Sequence, residues 1–311
     1  TLLAAHDCAA WPRLGAGAGG PDLLPEARDP ALWQRLATSP LGRSLLDELA
    51  GQARGMAAEP DLVLPFSAFM RFFRDGDRQD YEGHYFARRR RLQAFALAEL
   101  AGLPEEDPDG KAAARSRLSC LEDTLWAICD EYSWCLPAHL DPPAKDSGAA
   151  SGPGDRGTVH RPAAPVPSRD PASTVDLFSA ETAAALAEIL GLLGDRLSPE
   201  LAWRLRDQVR RRVLDQFTTP PVSQDAIWSW ETATHNWAAV CGGSVGIAAL
   251  WLVDDRVELQ QVLARVGGAL ESYLSGFAPD GICQEGMGYW TDGGGYFLAF
   301  AELLRERSGG R

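Results

Sequence analysis

Apolar side chains recur at steps of three and four residues along nearly the whole chain, and this periodicity limits the fold more than any other feature. Between residues 30 and 55, a tryptophan and several leucines follow these steps, as expected for one or two amphipathic helices. The same pattern predicts further helices over residues 88–103, 112–132, 178–197, 201–217, 239–252, 257–277 and 293–305. Alternating strand patterns are nearly absent, so the sequence predicts an all-α fold.

One segment interrupts the helical pattern. Residues 141–173 are rich in Pro, Gly, Ser, Ala and Asp and contain almost no large apolar side chain, which predicts a mobile surface insertion. Helices of similar character flank this segment, so we expect one helical domain over residues 1–311 rather than two domains and a linker. About ten helices with short connections suit an array of helical hairpins that curls into an α/α toroid. An ordinary multi-helix bundle fits the same periodicity.

Charge and cysteine spacing exclude several classes of function. The formal net charge is −13, so non-specific binding to nucleic acid or to an anionic membrane surface is not expected. No apolar run reaches the roughly 18 residues of a membrane-spanning helix. The six cysteines form no CxxC pair, and no metal-ligand or phosphate-binding motif is visible, so neither a metal nor a cofactor is predicted. Arg71, Arg74, Arg78 and the arginines at 88–91 can still form a local basic groove, although 88–91 also fits a solvated helix face.

Two segments between residues 232 and 290 combine polar side chains with glycines and aromatic rings. His235 and Asn236 precede a helix predicted to start near Ala238, and a helix N-terminus favours a negatively charged group such as a sugar carboxylate. The alternative is a helix cap with a structural histidine. The pair Gly242–Gly243 is costly inside a helix, at about 1 kcal/mol per glycine, which indicates either close helix packing or the approach of a ligand to the backbone.

The second segment is expected to be a glycine-rich loop. Asp280–Gly281 predicts a turn, and Glu285, Tyr289 and Trp290 follow it. In a loop, these side chains can contact a ligand, or the aromatic pair can fix the loop to the core. Glu285 and Glu231 also fit the acid and the base of a glycosidase.

Aromatic residues elsewhere are candidates for contact with a sugar ring, because indole faces stack on its C–H groups. Trp134 and Trp230 are such candidates, and His139 follows the helix-stopping Pro137 in a predicted loop. The alternative is that these tryptophans belong to the core, which is the usual place for tryptophans at helical spacing.

Four pieces of the sequence, at residues 127–139, 175–181, 235–243 and 280–290, resemble the heparinase II/III-like polysaccharide lyases. The resemblance runs from about residue 120 to the end. It implies an incomplete α/α toroid, which in the family precedes a large β-sandwich region that we do not find in this chain. It also implies cleavage of acidic, uronic-acid-containing polysaccharides by β-elimination, and a secreted or periplasmic location, although no signal peptide is visible.

The resemblance also assigns roles to individual residues. It implies that His235 neutralises the uronate carboxylate or acts as the base, with Asn236 beside it. It also implies that Tyr289 is the acid, and on some substrates also the base. The expected substrate-binding residues are Glu285, Trp290, Trp134, His139, Trp230, Glu231 and Arg74. The chain departs from the family at Asp292, where the family often has a second tyrosine, and it lacks the further histidine and the zinc that relatives take from the sandwich region. Cys241 and Cys283 flank the two motifs and can form a disulfide.

Overall fold

A computed structural model describes residues 22–105, 115–140, 170–218, 228–283 and 285–309 of the chain, and these residues confirm the all-α prediction. In these ranges no β-strand occurs, and only one isolated antiparallel bridge joins Phe277 to Cys283. The helices are α1 (Pro30–Thr38), α2 (Pro40–Ala58), α3 (Phe66–Asp75), α4 (Gln79–Leu100), α5 (Arg117–Cys129), α6 (Leu177–Leu193), α7 (Pro199–Arg212), α8 (Asn236–Leu252), α9 (Arg256–Ser275) and α10 (Met287–Arg307).

Helix α8 lies at the centre of the core. Nearly all of its residues are buried, and it packs against α6, α9 and α10. Its glycines permit this close packing: a Cβ on Gly243 would lie 2.8 Å from the carbonyl oxygen of Tyr296, and one on Gly246 would overlap the ring of Phe300. Of the two interpretations of Gly242–Gly243, the structure therefore favours close helix packing.

Most of the arginine run on α4 is engaged in contacts inside the protein. The side chains of Arg88 and Arg89 both form ion pairs with Glu131, at 2.9 and 2.7 Å, and the Glu131 side chain is only 1% exposed. Arg91 is also buried and donates to the carbonyl of Pro60. Arg90 is the exposed member of the run. Arg88 and Arg89 therefore hold α4 to the segment after α5, and Arg91 holds it to the segment before α3, so the four charges do not form one surface for a polyanion.

The structure also differs from the sequence analysis at α3 and in the segment before α6. The periodicity analysis missed α3, a short helix with several phenylalanines. Most of the predicted mobile insertion lies outside the described residues. Its last residues do not fit the prediction, because they form a 3-10 turn, Pro171–Ser173, in which Pro171 is buried and accepts a hydrogen bond from Ser133. The sequence left open whether Cys241 and Cys283 form a disulfide, and in the structure both are free. Across the described ranges, no helix is both long and apolar enough to cross a membrane.

Candidate functional site at the start of helices α8 and α10

His235 is the N-terminal capping residue of α8. Its Nδ1 accepts a hydrogen bond from the backbone N–H of Trp237 at 3.4 Å, and the residue is exposed to solvent. The predicted position just ahead of a helix is therefore confirmed. The cap satisfies one of the free N–H groups of the first turn and leaves the rest of the imidazole accessible.

Asn236 connects α8 to the start of α10. Its backbone N–H donates to Oε2 of Glu285 at 2.7 Å, and its side-chain Nδ2 donates to Oδ2 of Asp292 at 3.1 Å. The residue is only 2% exposed, and its Oδ1 has no hydrogen-bond partner among the described residues. A buried amide held in this way fixes the relative position of the two helices.

The predicted glycine-rich loop is wrong for Tyr289 and Trp290, which lie in the first turns of α10. The helix starts after Gly286, whose φ of 89° favours glycine. One of the glycines that follow is required by packing, since a Cβ on Gly293 would lie 2.9 Å from the hydroxyl oxygen of Tyr273.

The geometry of α10 brings Tyr289 towards Asn236. Tyr289 lies one helical turn before Asp292, so the two side chains share a face of the helix. Because Asp292 is hydrogen-bonded to Asn236, this face is turned towards the start of α8. Tyr289 is 54% exposed and Trp290 is 44% exposed, so both rings are accessible to a ligand.

His139 joins the same region from another part of the chain. Its Nδ1 lies 2.7 Å from Oδ2 of Asp176, which is the N-terminal cap of α6. The imidazole stacks on the ring of Phe178, with centroids 5.4 Å apart and an interplanar angle of 17°, and its centroid lies 4.9 Å from that of Trp237. His139 therefore lies against Trp237 in the first turn of α8.

Three of the predicted substrate-binding residues are buried and serve the core. Trp134 is 1% exposed and its indole N–H donates to the carbonyl of Ile128, while Trp230 is 3% exposed and donates to that of Val175. No sugar can reach these rings, so the stacking prediction is wrong for both. Glu231 is 6% exposed and forms an ion pair with Arg265.

Burial of Glu231 removes it as a substrate-binding residue and as half of the Glu231–Glu285 glycosidase pair. Arg74 is exposed in the last turn of α3, a helix that does not carry any part of the α8–α10 junction.

A groove of about 650 Å³ beside this junction was not predicted from the sequence. It is bounded by α4, α6 and α10, and its polar lining consists of Arg89, Arg90, Gln93, Glu181, Thr182, Glu188, Thr291, Asp292 and Tyr296. Asp292 belongs both to the groove and to the hydrogen bond with Asn236, so the groove opens directly beside the junction. A cavity of this volume with several converging polar groups is typical of a ligand-binding site.

Two carboxyl groups on α6 have strongly raised pKa values in this groove. Burial, followed by the negative charge of Asp292, raises the pKa of Glu181 to about 7, and hydrogen bonding with Tyr296 opposes part of this shift. Burial alone raises the pKa of Glu188 to about 7. The sequence carried a signal for both: they are the acidic residues of an otherwise apolar helix and lie two turns apart on one face.

A larger cavity, of about 720 Å³, lies elsewhere, between α3 and α5. Its walls are mainly apolar, with Phe66, Phe69, Phe73, Trp126 and Tyr132 among them. Its buried charges are already paired with each other, as described for Glu131, so it offers few groups for proton transfer.

No protein-family model matches this chain, and no curated protein matches its sequence significantly. The described residues therefore define the protein only by its fold and its candidate site. They form an all-helical structure with a polar groove beside the N-termini of α8 and α10. Among the residues described, no three or more His, Cys, Asp or Glu side chains are grouped so as to hold a metal ion.

Proposed function

We propose that this protein is a polysaccharide lyase that cleaves uronic-acid-containing glycans by β-elimination. The observation that carries the proposal is the pair of hydrogen bonds from Asn236 to Glu285 and Asp292. They link the start of α8, where the exposed His235 lies, to the first turns of α10, where the exposed Tyr289 lies, although the two residues are distant in sequence. An imidazole and a phenol at one accessible surface are the groups that this elimination needs.

The reaction sets two demands on the site. The proton at C5 of the uronate is weakly acidic until the neighbouring carboxylate is neutralised by a positive charge or by hydrogen-bond donors. The glycosidic oxygen at C4 must then receive a proton as it departs. In this proposal His235 faces the carboxylate, and the hydroxyl of Tyr289 donates the proton to the departing oxygen.

Asn236 takes a supporting role in this scheme. Its backbone N–H and its side-chain N–H₂ already donate to Glu285 and Asp292, and the side chain is buried. We therefore assign Asn236, Glu285 and Asp292 to positioning the two exposed groups, and Trp290 to contact with the sugar ring.

The remaining parts of the proposal follow from the resemblance to the heparinase II/III-like lyases. We propose that the helices form an incomplete α/α toroid, that a β-sandwich region completes the site as it does in that family, and that the protein acts on an acidic polysaccharide outside the cytoplasm. The toroid glycosidase based on Glu231 and Glu285 loses support, because Glu231 is buried against Arg265.

The test is an ultraviolet assay for the unsaturated product with heparin, alginate, chondroitin and hyaluronan as substrates. The wild type should produce absorbance with at least one of them. Tyr289→Phe, which removes only the hydroxyl group, should lower the rate by about 100-fold or more. Tyr132→Phe is the matched control, because Tyr132 is 62% exposed but lines the apolar cavity instead.

Three outcomes would contradict the proposal. Full activity of Tyr289→Phe would exclude the role of the phenol. Glycan binding by the wild type without any unsaturated product would indicate a non-catalytic glycan-binding protein. New reducing ends without absorbance would indicate a glycoside hydrolase.

A further inference from the structure

The two imidazoles at the start of α8 have opposite hydrogen-bonding patterns. Nδ1 of His235 accepts the backbone N–H of Trp237. Nδ1 of a neutral imidazole that accepts a hydrogen bond carries no proton, so the proton of His235 is on Nε2. His235 therefore presents an N–H donor to a ligand, which suits the neutralisation of a carboxylate.

His139 has the other tautomer. Its Nδ1 faces the carboxylate of Asp176, which can only accept a hydrogen bond when it is ionised. The proton of His139 is therefore on Nδ1, and Nε2 carries a free lone pair. Asp176 is held in place for this task, since it is 3% exposed and its other oxygen accepts the backbone N–H of Ser179 at 2.8 Å.

The surroundings of His139 leave part of its side chain exposed. Phe178 covers one face, Trp237 packs against the ring, and Asp176 covers the Nδ1 edge. The side chain is still 12% exposed. Among the described residues, the ring makes its hydrogen bond through Nδ1, so Nε2, the nitrogen that can accept a proton, is not already engaged there.

We propose that His139 is the catalytic base of this site, held in its active tautomer by Asp176, and that His235 is the hydrogen-bond donor to the uronate carboxylate. This assignment rests on the proposed lyase function. The resemblance gives His235 either the neutralising role or the role of the base, whereas here His235 neutralises the carboxylate and His139 is the base. The second imidazole then comes from the helices, whereas the heparinase II/III-like lyases often take a further histidine from the sandwich region.

The elimination is balanced with these groups. Nε2 of His139 takes the C5 proton, and the electrons of the C–H bond form the double bond between C4 and C5. The bond between C4 and the glycosidic oxygen breaks, and this oxygen takes the proton of the Tyr289 hydroxyl. The proton on His139 then returns, through solvent, to the phenolate of Tyr289.

Two variants test the assignment in the ultraviolet assay. His139→Gln keeps a polar side chain that can donate to Asp176 but removes the base, so it should lower kcat by about 100-fold or more with little change in KM and in the unfolding midpoint. Asp176→Asn keeps a good helix cap but removes the carboxylate, and it should lower kcat by at least about 10-fold. Added imidazole should restore part of the activity of His139→Ala. His84→Gln is the control, since His84 is a partly exposed histidine on α4.

A second measurement does not depend on turnover. The ¹⁵N spectrum of histidine-labelled protein should show the proton of His139 on Nδ1, and Asp176→Asn should move part of the population to Nε2. Wild-type kcat in His139→Gln, or a proton on Nε2 of His139, would overturn the assignment while leaving the lyase proposal intact. Absence of unsaturated product from the wild type would overturn both.

Discussion

Replacement of Glu188 by glutamine should change how the stability of the protein depends on pH. Glu188 lies inside α6, which packs against the central helix α8. Burial raises the pKa of its carboxyl group from the usual 4.5 to about 7. The folded protein therefore binds this proton more tightly than the unfolded chain does, and the free energy of unfolding must fall as the pH rises between these two values.

The magnitude follows from the same two values. At about 1.4 kcal/mol for each pH unit between them, ionisation of Glu188 costs the folded state up to about 3 kcal/mol. Below pH 4.5 the group is protonated in both states, and above pH 7 it is ionised in both, so the slope is confined to this window. Glu188→Gln stays neutral. It should match the wild type near pH 4.5 and exceed its stability by up to about 3 kcal/mol at pH 8.

Urea denaturation followed by circular dichroism at pH 4.5, 6, 7 and 8 measures this difference directly. The slope should decrease in Glu188→Gln without vanishing, because Glu181 has a similarly raised pKa and remains in place. Glu271→Gln, at an exposed position on α9, should leave the pH dependence unchanged. If the curves of Glu188→Gln and the wild type run parallel across this range, the carboxyl group is not desolvated and the reasoning is refuted.

Two further predictions concern packing and buried charge. Glu131→Gln leaves the buried side chains of Arg88 and Arg89 without their shared carboxylate. In urea denaturation it should lower the free energy of unfolding by about 3–5 kcal/mol. A loss below about 1 kcal/mol would show that these ion pairs are solvated. Gly243→Ala places a Cβ 2.8 Å from the backbone of Tyr296 and should destabilise by about 1–3 kcal/mol. Gly268→Ala, at an exposed helical position with open space around it, should instead stabilise by up to about 1 kcal/mol, and equal effects at the two sites would contradict the packing argument.

The fold class could be predicted from the sequence because helical periodicity is a local property. The central helix α8 was found at nearly its true position, since its flanks and its apolar run are contiguous in the chain. The start of α10 could not be found in this way. Its glycines argue for a loop, and the contact that makes one of them, Gly293, necessary is with a distant residue, Tyr273.

The site was predicted only in part, for a similar reason. The sequence singled out His235 and Tyr289 but could not tell an exposed tryptophan from a buried one, so Trp134 and Trp230 were assigned to the ligand instead of the core. Helical periodicity shows on which face of a helix a tryptophan lies. It does not show whether that face packs in the core or lines a sugar-binding site.

The structure also changes what the start of α8 can offer a substrate. A helix N-terminus favours an anion, which led to the expectation that a sugar carboxylate binds beside Asn236. The carboxylates of Glu285 and Asp292 already occupy the donors of Asn236, over separations of 49 and 56 residues that no local pattern encodes. An incoming carboxylate would meet two negative charges there and would have to bind at the exposed Nε2–H of His235 instead. In the proposed lyase mechanism, the substrate carboxylate therefore depends on His235 for neutralisation. Proton abstraction then falls to a different group, for which we propose His139, hydrogen-bonded to Asp176.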